Sequence, residues 1–383
     1  MSNLKSDFRI AILPGDGVGE EVVETSLKVL DVLEAKTDFR FDRVMIPGGG
    51  AYYEKHGKEW PDGSLEKVKD ADAVILGAVG HDGPDGEAVR REDGELAGYE
   101  LVVGLRQKLD LYANYRPVRL FGGVPHKIHG ELRPVWHDDK VNMVIIRENT
   151  EDAYVSGASR LDRAGVTELV VSPIIITRKG AERVIRKAFE TAMTRDGSPS
   201  DGKKRVTCVD KSNIIQAHRL FRSVFKEVAA EYPEVATDFA YVDAFCQWLV
   251  RNPEFYDVVV APNFSGDIVT DLAAVLQGGL GIAAGGNIGD HYAMFEPIHG
   301  SAPKHAGLDK VNPIATVLSI KMMLDWLGDQ HQVPALNKVA QLLEDAVEEV
   351  VRKEDGRTYD LGGSAKCSEV GAMVAEVFEQ KLG

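Results

Sequence analysis

Short aliphatic runs alternate along the chain with longer stretches whose apolar residues recur every three or four positions. Arg9–Leu13, Ala73–Leu76, Val141–Ile146, Leu169–Ile176, Val206–Val209 and Val258–Val260 have the composition of buried strands. Glu20–Ala35, Lys179–Thr194, Ile214–Tyr232, Pro313–Leu327 and Ala335–Lys353 carry helical spacing. Such alternation predicts an α/β fold with helices covering both faces of a sheet. Two places break the rhythm. Arg195–Lys204 is a polar Gly/Ser/Pro segment that reads as a surface turn, and residues 278–289 (GGLGIAAGGNIG) read as a buried, closely approached turn.

No run approaches the roughly 18 apolar residues that a membrane span needs. The apolar run Phe8–Leu13 enters Pro14-Gly15-Asp16-Gly17 at once, which is a strand meeting a tight turn and not a signal peptide. A length of 383 residues suggests two domains or one large doubly wound unit. Hydrophobic residues at 44% and charged residues at 27% exclude wholesale disorder. The net charge of −15 argues against a nucleic-acid partner, whose phosphates demand Lys and Arg. Cys208, Cys246 and Cys367 are far apart with no CxxC pair, so neither a disulfide framework nor a zinc site is expected. The expected setting is a soluble protein in a reducing cytoplasm.

The glycine cluster Gly15-Asp16-Gly17-Val18-Gly19 fails the dinucleotide fingerprint, because its third glycine comes one residue early. It is either a tight strand-to-helix turn or a ligand loop. Arg106, Arg116, Arg119, Arg133 and Arg147 punctuate an otherwise fairly apolar stretch. Arg147 follows Val144-Ile145-Ile146 directly, at a predicted strand end, where a guanidinium fork suits a substrate with several carboxylates. A helix starting near Gly266 puts Asp267 and Asp271 on one face, a repulsion that a divalent cation would reverse. The alternative for Asp267 is a first-turn charge that complements the helix dipole. Asp243 is a candidate third ligand. In the loop 296–305, small residues allow close backbone approach, while His299, Lys304 and His305 can hydrogen-bond phosphate or ribose.

Together these motifs resemble the β-decarboxylating dehydrogenases, the family of isocitrate, 3-isopropylmalate, homoisocitrate and tartrate/D-malate dehydrogenases. The resemblance runs from PGDGVGEE (14–21) through LRQKLDLYANYRPVR (105–119), RENTEDAY (147–154), DKSN (210–213), NFSGDIVTD (263–271), GIAAGGNIGD (281–290) and HGSAPKHAG (299–307) to KCSEVG (366–371). It implies an isocitrate/isopropylmalate dehydrogenase-type α/β fold that is not a Rossmann fold. Residues 1–112 plus 279–383 would form a large cofactor domain, and residues 113–278 a small domain with the dimer interface. The active site would lie in the interdomain cleft and borrow residues from a second subunit. A homodimer is implied, with tetramers also known in the family, and the segment after Tyr154 would form an intersubunit arm.

The resemblance also implies roles. Arg106, Arg116 and Arg147 would clamp malate-type carboxylates. Asp267, Asp271 and a partner subunit's Asp243 would hold Mg²⁺ or Mn²⁺, and Lys211 and Tyr154 would be the base and acid. His299, Gly300, Ser301, Ala302, Lys304, His305, Asn312 and Tyr359 would line the NAD(P) site. NAD-using relatives place an acidic and then an aliphatic residue where Lys304 and His305 stand, which tilts the expectation to NADP over NAD. Gly363 departs from the NADP pattern by replacing an arginine. Ahead of Arg106, Glu100, Val102 and Val103 replace the polar or basic groups that bind the extra carboxylate of isocitrate or homoisocitrate. A malate with an apolar or small C3 group is therefore expected, 3-isopropylmalate first and D-malate or tartrate second. A noncatalytic regulatory subunit of the same fold is the different-class alternative, disfavoured because Tyr154, Lys211, Asp243, Asp267 and Asp271 are all present.

Overall fold

The computed structural model describes residues 5–154 and 159–383. The chain opens with β1 (Asp7–Gly15), α1 (Gly19–Lys36), β2 (Arg40–Met45), α2 (Gly50–His56), α3 (Ser64–Lys69), β3 (Ala73–Ala78) and α4 (Leu105–Lys108). The middle holds β4 (Ala113–Arg119), β5 (His126–Ile128), β6 (Glu131–Arg133), β7 (Asn142–Glu148), β8 (Ser159–Arg163), β9 (Val166–Val171) and α5 (Arg178–Thr194). Then come β10 (Arg205–Asp210), α6 (Gln216–Ala229), β11 (Ala236–Tyr241), α7 (Val242–Arg251), β12 (Val258–Ala261) and α8 (Asn263–Ala274). The chain closes with β13 (Ala284–Ile288), β14 (Ala293–Pro297), α9 (Ile314–Gln330), α10 (Pro334–Arg352) and α11 (Cys367–Leu382).

Two compact units emerge, one of residues 1–111, 120–138 and 274–383, the other of 112–119 and 139–273. In the first, strands run in the order β13-β14-β3-β1-β2, parallel except for the β13–β14 pair. β3 is buried along its whole length, as a central parallel strand covered on both faces must be. α9 is apolar nearly all round, and its Lys321 sits between Asp325 and Glu344, 2.9 and 3.2 Å away. In the second unit the order is β11-β10-β12-β7-β4, with only β4 antiparallel to its neighbour. α5 and α6 cover it through Phe189, Phe221 and Phe225, with Phe189 stacked on Tyr232.

Three expectations change. The segment expected to be one middle domain is interrupted, because 120–138 belongs to the first unit: buried His126 bonds Leu276 O at 3.0 Å there. Leu169–Ile176 is not a buried strand. β9 ends at Val171, just ahead of Pro173, and among the described residues it pairs with β8 alone, and all six of its residues are exposed. α8 starts at Asn263, three residues before Gly266. Residues 155–158, where the expected arm begins, lie outside the described residues. Among the described residues no helix is long and apolar enough to cross a membrane.

Candidate active site

β7 delivers Arg147 to its C-terminal end, where the side chain is only 2% exposed. Its Nε donates to Asn263 Oδ1 at 2.8 Å and its Nη1 to Asp267 Oδ1. The Tyr154 hydroxyl donates to the other oxygen of the same carboxylate, and Arg147 lies 5.1 Å from the Tyr154 ring centroid. Gly266 makes this approach possible, since a Cβ there would stand 2.7 Å from Arg147 Cγ. Arg116, buried on β4, donates from Nε to Asn114 Oδ1 at 2.6 Å. One turn after Asp267, the Asp271 carboxyl is held above its ordinary range by partial burial and by Asp267, against the pull of Arg116 and Arg147.

The loop from Glu148 to Tyr154 is fastened at several points. Buried Glu148 accepts from Thr150 N, Thr150 Oγ1 and Glu151 N, each at 2.8 Å, while burial pushes its carboxyl up to about 7. Glu151 accepts from Thr177 at the start of α5. Asp152 takes the Phe264 N–H at 2.9 Å, and Asn263 Nδ2 donates to Glu151 O at 3.0 Å, so the loop carrying Tyr154 is tied to the first turn of α8. Asn263, Asp152 and Glu148 were not singled out from the sequence, although each stands inside a quoted motif.

Lys211, just past β10, pairs with Asp243 in the first turn of α7 at 2.6 Å, and this hydrogen bond holds the Asp243 carboxyl low. Among the described residues no three His, Cys, Asp or Glu side chains converge on a metal position. Asp243 is thus apart from the α8 pair in its own chain. The donor chemistry, carboxylate oxygen alone, suits a hard divalent cation such as Mg²⁺ or Mn²⁺.

In the first unit, Arg106 Nη2 donates to Glu296 Oε1 at 2.9 Å, an oxygen that also accepts from Asn287 Nδ2. Arg106 Nε is buried without a hydrogen-bond partner. Glu100–Gly104, immediately before α4, is a π turn, a feature common at functional sites. Val102 packs against the core of this unit, while Val103 is half-buried. Arg91 and Lys108, which touch this segment, are each held by carboxylates: Asp93 and Glu59 for Arg91, Glu100 for Lys108.

A cavity of about 580 Å³ in the same unit is lined by His299, Gly300, Ala302, His305, Asn312 and Tyr359, all expected cofactor residues. Ser301 is buried beside it and Lys304 is exposed in the same loop. His299 Nε2 is buried with no hydrogen-bond partner, as a ring nitrogen awaiting a ligand would be. The 15–19 cluster is a tight turn that supports this loop. Gly17 takes φ +57, Val18 N donates to Ser301 O at 2.9 Å, and buried Asp16 accepts from Gly50, Ala51 and Gly80 N–H groups.

The isocitrate/isopropylmalate dehydrogenase family model matches residues 9–374. A homoisocitrate dehydrogenase of Methanocaldococcus jannaschii is 35% identical over 98% of this chain and 99% of its own. A 3-isopropylmalate dehydrogenase of Streptomyces griseus is 38% identical over 93% and 96%. The crystal structure of isocitrate dehydrogenase from Methylococcus capsulatus superposes with a TM-score of 0.79 at 34% identity, covering 98% of this chain and 99% of that one.

Proposed function

The chain belongs to the isocitrate/isopropylmalate dehydrogenase family, and on that premise we propose that it oxidatively decarboxylates a 3-substituted malate, 3-isopropylmalate first, with Mg²⁺ or Mn²⁺ and with NADP ahead of NAD. The observation that carries this reading is Asp267. Its carboxylate gathers a buried arginine and a tyrosine hydroxyl one helical turn from a second aspartate.

Arg116 and Arg147 bind and orient the substrate carboxylates, and the motif adds Arg106, whose buried Nε has no partner. Asp267 and Asp271 would hold a divalent cation, which would supply Lewis acidity toward the C2 oxygen, and the dinucleotide of the 299–305 cavity would supply the hydride acceptor. Lys211 takes the C2 hydroxyl proton, and Tyr154 delivers a proton to the carbon that loses CO₂. Lys211 is bound to Asp243, so the two act at one site together. We assign both to the active site of a second copy, in a homodimer or a larger assembly of dimers. Exposed apolar residues favour that assembly: Leu169, Val170 and Val171 on β9, and Phe264, Ile268 and Val275 on one face of α8 and just beyond it. Three free thiols suit the cytoplasm.

The preference for an apolar C3 group rests on Val103 and on Arg91 and Lys108 being engaged by carboxylates. An extra substrate carboxylate there would be desolvated without a partner, at a cost of several kcal/mol. A rate comparison of 3-isopropylmalate, D-malate, tartrate, isocitrate and homoisocitrate, with Mg²⁺ and both cofactors, tests this. 3-Isopropylmalate should give the highest kcat/KM, and isocitrate or homoisocitrate ahead by tenfold would overturn the substrate assignment.

A further inference from the structure

We propose that Lys127 is a cofactor-binding residue that pairs with a phosphate of the dinucleotide in the cavity of the first unit. The proposal rests on the dehydrogenase reading above and adds a residue from an element outside the motifs that carry it. Lys127 lines the cavity together with His299, His305 and Tyr359. It comes from β5, the first strand of the β5–β6 hairpin.

The hairpin holds this lysine in place. On β5, side chains alternate between faces, and His126 points inward with no exposure. Its Nε2 bonds Leu276 O at 3.0 Å, its Nδ1 accepts from Val135 N at 3.2 Å, and Trp136 meets its ring edge-on at 4.9 Å. Lys127 therefore leaves the opposite face of an anchored strand, and among the described residues it has no ion-pair partner. Leu132 of the same hairpin lies against Gly362, in the turn that follows Tyr359.

The rest of the cavity suits a dinucleotide. Gly278, Gly279 and Gly281 leave room for close approach, and Val18 and Val311 offer apolar surface for a flat ring. Asp360 is the carboxylate on the lining, and Asn312 Nδ2 and the Thr358 hydroxyl both donate to it. Position 363 can place no side chain here, since a Cβ on Gly363 would lie 2.0 Å from Arg357 O. Lys310 Nζ stands 4.4 Å from the Tyr359 ring centroid, and Lys127 adds a cation from a separate element on the lining that includes His305.

Calorimetric titration of NADP and of NAD into wild type, Lys127→Ala and Lys127→Arg tests the proposal by binding, without turnover. Lys127→Ala should raise the Kd at least tenfold, and Lys127→Arg should largely restore it. Loss confined to NADP places the lysine at the 2′-phosphate; equal loss for both cofactors places it at the pyrophosphate. Wild-type affinity of Lys127→Ala for both cofactors would overturn the proposal. If wild type itself bound neither cofactor, the dehydrogenase reading would fall first.

Discussion

Asp267 accepts from Arg147 and Tyr154 through its two oxygens, while Lys211 is paired with Asp243. Those separate pairings predict different defects. Lys211→Met should lower both hydride transfer and decarboxylation, because the hydroxyl proton has no acceptor. Tyr154→Phe should leave decarboxylation of the supplied 2-oxo intermediate largely intact and slow the final protonation. Each loss should be on the order of 10²–10⁴-fold in kcat, and near-normal turnover of Lys211→Met would refute the assignment. Glu148 gives a pH prediction. Its carboxyl sits near 7 in the fold against an ordinary 4.5, so the folded state holds the proton more tightly than the unfolded chain. Stability is therefore greatest below the unfolded value, falls between roughly pH 4.5 and 7, and then levels, a loss of about 3 kcal/mol. Urea unfolding across this window should show a flatter profile for Glu148→Gln than for wild type; parallel profiles would contradict it. At this scale Arg147, Tyr154 and Asp267, which the structure brings together, were legible because they stand in ordered motifs. Their supports, Asn263, Asp152 and Asn114, were not, since a side chain that bonds a neighbouring loop has no local periodicity to reveal it.

At the scale of elements, the 15–19 turn shows how one reading resolves. The cluster failed as a dinucleotide fingerprint, yet the turn braces the 299–302 loop through Val18 N and Ser301 O. A Cβ on Gly17 would stand 2.2 Å from Ser301 O, and the φ of +57 disfavours any side chain. Gly17→Ala should therefore lower the unfolding midpoint and weaken cofactor binding about tenfold, for a strain of about 1–3 kcal/mol. An unchanged cofactor Kd would show that this turn does not support the site. Buried strands such as Val206–Val209 and Val258–Val260 were readable from composition. β9 was misread because its Leu-Val-Val run looks like core, whereas among the described residues it pairs with β8 alone. The β5–β6 hairpin was missed altogether, since strands of three residues carry too short a pattern.

At the scale of the whole molecule, the sequence resemblance anticipated the family, while the return of 120–138 to the first unit depended on contacts such as His126 with Leu276. The proposed assignment of Lys211 and Asp243 to the site of a second copy has a mixing test. Lys211→Met and Asp267→Asn should each be inactive, but refolding them together should restore about one quarter of wild-type activity, because half the dimers are mixed and each has one complete site. No recovery would place all these residues in one chain's site. Coupling of oxidation to decarboxylation under metal control is measured as CO₂ released per NAD(P)H formed from 3-isopropylmalate. The expected ratio is about one CO₂ per hydride, with turnover abolished by chelation and restored by Mg²⁺ or Mn²⁺. Cofactor reduction without CO₂, or turnover indifferent to chelation, would contradict it.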